Sequence, residues 1–128
     1  MSDITFRVEK RGDVTCIILG AEFQTLDEGR LDSIRGQLLE ASSKASPPKV
    51  VIDLSHTTFF GSSFIEVLFR MWNRQNAAPN GKFAIAGLSA YCREVLEITH
   101  LDRLWKLYPT LDEAVREVSK PSSLTRTA

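Results

Sequence analysis

Apolar and polar residues alternate where the chain begins. Ile4, Phe6 and Val8 are separated by Thr5 and Arg7, the period-two pattern of a half-buried strand. Arg11-Gly12-Asp13 reads as a turn and Val14 to Leu19 as a second strand, so the pattern predicts a β-hairpin that ends at Gly20. The period then lengthens. Leu31, Ile34, Leu38 and Ala41 recur at helical spacing. Ahead of them stands Thr25-Leu26-Asp27-Glu28, which has the form of a capping box. The Thr25 hydroxyl is expected to accept from the third helical amide while Glu28 reaches back to the Thr25 amide. Ser42 to Pro48, with consecutive prolines, ends this helix.

Lys49-Val50-Val51-Ile52-Asp53-Leu54 is almost unbroken apolar sequence. A strand buried on both faces has this composition, which places it inside the sheet and parallel to a neighbour. A helix is predicted from Ser62 to Asn76, with Glu66, Arg70 and Asn73 as a narrow polar stripe. Pro79-Asn80-Gly81 is a turn, Lys82 to Ala86 a strand, and Ser89 the cap of a helix that runs to Ile98. Leu104 to Tyr108 gives a last short strand. Thr110-Leu111-Asp112-Glu113 opens a final helix with Leu111, Ala114, Val115 and Val118 on one side. The predicted order is β-β-α-β-α-β-α-β-α, which implies an α/β fold: a mixed, mainly parallel five-stranded sheet with helices packed on it. The domain is expected to occupy residues 1–119, with 120–128 a polar, disordered tail.

Composition narrows the function. A chain of 128 residues suits one domain. Its 16 basic residues balance 16 acidic ones, whereas a nucleic-acid binder carries a basic face. No stretch approaches the ~18 apolar residues of a membrane span. The acidic start, Met1-Ser2-Asp3, is unlike a secretory leader. The expected location is the cytoplasm, where Cys16 and Cys92 would stay reduced. His56 and His100 do not fall at metal-ligand spacing with either cysteine.

Candidate catalytic groups fare poorly. Asp53, His56 and Ser62 lie close together in the sequence, but a nucleophile elbow needs Gly-x-Ser-x-Gly, and Ile65 replaces the last glycine. Phosphate-loop and dinucleotide fingerprints have no match. Asp27, Glu28, Asp112 and Glu113 lie in first helical turns, where the macrodipole favours carboxylates. The sequence therefore argues for a binding or switching module, without a cofactor, rather than an enzyme.

The informative segment runs from Asp53 to Phe64: a buried strand ends, aromatic residues turn the chain, and serines stand where a helix begins. Helix N-termini receive anions well, so a phosphate on Ser62 would sit favourably and change the surface a partner meets. Ser63-Phe64-Ile65-Glu66 is itself a capping box, which accounts for Ser63 without any regulatory role. Phe64, Val67 and Met71 fall at helical spacing and are candidates either for exposed apolar contacts or for the core.

These residues resemble the STAS domain family, the fold of bacterial anti-sigma factor antagonists. The stretch Val50 to Leu68 is similar to the family hallmark, a strand ending in Asp-Leu-Ser, then Phe, then Asp-Ser-Ser opening a helix. Glu94 to Leu104 is similar to a second signature, followed by Thr110 to Ala114. The resemblance implies a cytosolic regulator that binds an anti-sigma factor which is also a serine kinase, is phosphorylated on Ser62, and is reset by a phosphatase. It implies a docking surface of Phe59, Phe60, Gly61, Ser62, Ser63, Phe64, Glu66, Val67 and Arg70. Gly61 replaces the motif aspartate, and Phe64 and Glu66 replace small glycines. Those departures keep an alternative open: an unphosphorylated STAS interaction module, or a scaffold subunit of a signalling or lipid-transport complex.

Overall fold

The computed structural model describes residues 6–120. The hairpin forms from β1 (Arg7–Arg11) and β2 (Val14–Ile18), paired antiparallel about the Gly12 turn, where φ is +63°. Next come β3 (Thr25–Leu26), α1 (Glu28–Ser43), β4 (Lys49–Asp53), β5 (Phe59–Phe60) and α2 (Ser62–Ala77). The chain continues through β6 (Lys82–Ala86), α3 (Ala90–Ile98), β7 (Lys106–Tyr108) and α4 (Leu111–Val118). Single 3-10 turns occupy Ala21–Phe23 and Leu101–Arg103.

The five-stranded sheet has the order β1-β2-β4-β6-β7, and every pair after the hairpin is parallel. The uninterrupted apolar run is its central strand. Val50, Ile52 and Leu54 face one side, against Ile17, Leu19, Phe83 and Ile85 and the inward faces of α1 and α2. Val51 faces the other side with Val14, Cys16, Ala84 and Ala86. These small side chains let the short α4 lie close to the strands through Ala114 and Val118. Cys16 and Cys92 are both buried and free, in the separate cores on opposite faces of the sheet.

Several local expectations are met. Ser89 caps α3 by accepting from the Cys92 amide at 3.2 Å, and Thr110 caps α4 by accepting from the Glu113 amide. Two are corrected. Thr25 does not cap α1. It lies in β3, extended and paired with Phe59, and the cap is Asp27, whose carboxylate accepts from the Arg30 amide at 2.9 Å. Val8 is 48% exposed, because β1 is an edge strand and Val8 borders an open depression between it and the C-terminal half of α1 rather than closing against the helix. Ile4 and the tail from 121 onward lie outside the described residues. Lys120 is held in place: its carbonyl accepts from Lys82 Nζ at 2.6 Å.

Candidate functional site

The start of α2 is built by pairing two loops that are distant in sequence. β4 ends at Asp53, whose carboxylate accepts from the Ser55 amide at 3.1 Å and turns the chain. The buried Thr57 hydroxyl then donates to the Phe23 carbonyl at 2.9 Å. The Thr58 and Phe59 amides both donate to the Gln24 carbonyl, at 2.8 and 3.2 Å. This stitching aligns β5 with β3 as a small parallel ladder, Thr25 opposite Phe59 and Leu26 opposite Phe60. The ladder sets the first turn of α2 beside the first turn of α1.

Within β5 the side chains alternate. Phe60 points inward, 2 % exposed, with its ring 5.3 Å from Phe64. Phe59 points outward and stacks on Tyr91 of α3, with ring centroids 5.9 Å apart and planes 23° from parallel. Cys92 lies beneath, its thiol pushed above the ordinary value by burial.

Gly61 is the N-cap of α2, in extended backbone with φ −103° and ψ −174°, and it offers no side chain to the first turn. Ser63 does not act as that cap, as its capping-box pattern suggested. It is already the second helical residue, and its hydroxyl donates to the carboxylate of Glu28, the first residue of α1. The Phe64 and Ile65 amides reach the Gly61 carbonyl at 3.1 and 3.3 Å. The Ser62 and Ser63 amides have no helical acceptor and leave a partial positive charge at this end. Ser62 is exposed, at the first helical position.

The burial pattern divides the residues expected at a docking surface. Phe59, Ser62, Glu66 and Arg70 are exposed, and Gly61 and Ser63 are half-buried. Phe60, Phe64 and Val67 are not at the surface, and neither is Met71. Phe64, Val67, Leu68 and Met71 form the inward face of α2 and join the core beneath it, so their helical spacing is that of packing. Glu66 and Arg70 face each other across one helical turn at 3.9 Å, both well exposed.

Sequence reasoning missed two members of this surface. Tyr91 enters only because the fold brings the first turn of α3 against β5. The sequence places Glu28 in the capping box of its own helix, and no local signal points to its contact with Ser63. The would-be catalytic group does not assemble. Among the described residues no hydrogen bond joins Asp53, His56 and Ser62, and exposed His56 borders a separate depression lined by Phe6, Arg7, Ile18, Gly20 and Glu22.

Fold and site together define a small α/β domain with an exposed serine at the open start of α2. The family model described as STAS domain matches residues 5–114. The chain belongs to the STAS domain family. Its relatives include the anti-sigma-F factor antagonist RsfB of Mycobacterium tuberculosis, 24% identical over 115 residues and covering 90% of this chain and 89% of that one. Among solved structures, an anti-sigma-factor antagonist (STAS) domain protein from Planctomyces limnophilus superposes with a TM-score of 0.85. It is 43% identical and covers 90% of this chain and 98% of its own. The Bacillus cell fate determinant SpoIIAA in its phosphorylated form has the same fold at 23% identity and a TM-score of 0.63, covering 89% of this chain and 99% of its own. No helix among the described residues is long and apolar enough to cross a membrane.

Proposed function

We propose that this chain is a cytoplasmic regulator of the anti-sigma factor antagonist type, which binds a serine kinase that is also an anti-sigma factor and is released from it by phosphorylation of Ser62. The observation that carries the reading is the position of Ser62: exposed, first in α2, beside unpaired amides, on a base fixed by the β3–β5 ladder. A phosphate there gains from the helix dipole and so costs the fold little. Its added charge, roughly −1.5 to −2 at neutral pH, falls on the surface that Phe59, Tyr91, Glu66 and Arg70 present to a partner. The kinship with RsfB and with the Planctomyces protein supports the partner class, since both are named as antagonists of anti-sigma factors. A phosphatase would complete the cycle. The residues 1–119 would form the working domain.

One observation favours a second reading, a constitutive STAS module that is never phosphorylated. Gly61 offers no carboxylate next to the Ser62 hydroxyl, and Glu66 lies one turn further along the same face. Intact-mass measurement on the protein from its native cells, beside Ser62→Ala, separates the two. A phosphoryl mass that vanishes in the variant supports the switch. Absence of that mass across growth and stress conditions, with the same partner retained by Ser62→Asp, rejects it.

A further inference from the structure

We infer that Glu28 reads the state of Ser62 and passes it to the first helix: its carboxylate ties α1 to α2 through Ser63, and a phosphate on Ser62 undoes the tie. The inference rests on the reading of Ser62 as a phosphorylated residue. Its basis is the junction of the two helix starts. Glu28 is the first residue of α1 and Ser63 the second of α2, and the Ser63 hydroxyl donates to the Glu28 carboxylate across a separation of 35 positions. The β3–β5 ladder brings both N-termini together, so this one carboxylate lies where two helix dipoles are positive. The tie is thus stabilised by the same field that would attract a phosphate.

A phosphate on Ser62 acts on the tie in two ways. It is an acceptor adjacent to Ser63, competing for that hydroxyl and for the free amides of the first turn. It is also a dianion beside the Glu28 carboxylate and repels it. The neighbouring charges do little to relieve the conflict. Asp27 adjoins Glu28 and Glu66 lies one turn beyond Ser62. The nearby cations are engaged elsewhere, Arg70 with Glu66 and Arg30 with the Glu22 carbonyl. Release of Glu28 removes the side-chain bond that ties this end of α1 to α2. That end is then left to the Asp27 cap, the short ladder, the Arg30 contact with the Glu22 carbonyl and the buried Leu26 and Leu31. The effect is therefore confined to the stretch from Thr25 to Leu31, while the core beneath it is untouched.

The test installs phosphoserine at position 62 of the full chain during translation, so it does not depend on whether a kinase exists, and reads amide hydrogen exchange. The expected result is exchange from Thr25 to Leu31 at least ~3-fold faster than in the unmodified protein, with β4 and β6 unchanged. Glu28→Ala and, independently, Ser63→Ala should show that faster exchange without any phosphate, and phosphoserine at position 62 should then add nothing. Unchanged exchange in this stretch on phosphorylation, or equal acceleration in wild type and Glu28→Ala, overturns the inference. Lack of phosphate on the protein from native cells would instead overturn the reading of Ser62 and leave the coupling measurable.

Discussion

The Thr57 hydroxyl donates to the Phe23 carbonyl at 2.9 Å, and Thr57 is only 1 % exposed. This is a buried polar bond between the loop that precedes α2 and the 3-10 turn that precedes α1. It anchors the ladder on which Phe59 and Ser62 are presented. Thr57→Val preserves shape but leaves the Phe23 carbonyl without its donor, at a cost of about 1–3 kcal/mol. Urea denaturation should show that loss, and amide exchange should show faster opening over β3 and β5 than over β4.

The adjacent aromatics of α2 and β5 should behave oppositely. Phe64 is fully buried against Phe60, so Phe64→Ala should destabilise the domain by about 3–5 kcal/mol. Phe59 is 39 % exposed and stacks on Tyr91 at the surface, so Phe59→Ala should cost less than ~1 kcal/mol. Paired denaturation curves check both. Equal losses would mean that the Phe59–Tyr91 stack belongs to the folding core rather than to the surface.

A pH dependence follows from Asp13 and Lys49. Their side chains meet at 2.7 Å, and that hydrogen bond holds the Asp13 carboxyl below its ordinary value despite some opposing desolvation. A lowered folded-state value means that the contribution is present above the unfolded value of about 4 and is lost as the pH falls through the folded one. Asp13 is 42% exposed, so the contribution is screened and stays under ~1 kcal/mol. The stability gap between wild type and Asp13→Asn should be level from about pH 5 to 8 and should close below pH ~4.

The sheet was legible because its signals are periodic and local. The apolar run Val50 to Leu54 announces a strand buried on both faces, and the Ser89 and Thr110 caps fix their helix starts by chemistry within one turn. The errors share a different cause. Thr25 is drawn into β3 by pairing with Phe59, 34 positions away, which overrides a plausible cap and passes the role to Asp27. Phe64 and Val67 have the spacing of a helix face, but spacing alone does not say whether that face meets the sheet or a partner. Tyr91 and Glu28 reach the site through tertiary contact, so no window of sequence contains their signal.

Gly61 is the position where sequence and structure together make the sharpest forecast. Its backbone is extended, with φ −103°, so any residue can adopt it, and an added Cβ would meet nothing within 4 Å. It is the N-cap of α2 yet contributes no side chain. Gly61→Asp should therefore supply the missing acceptor to the first turn, a gain of a few tenths of a kcal/mol over glycine. In a domain of this size that raises the melting temperature by about 1 °C. The new carboxylate would also enter a neighbourhood that already holds Asp27, Glu28 and Glu66, all near the same helix starts. A melting temperature that falls instead of rising would show that repulsion in this acidic cluster outweighs the cap, and raising the salt concentration would then recover the loss.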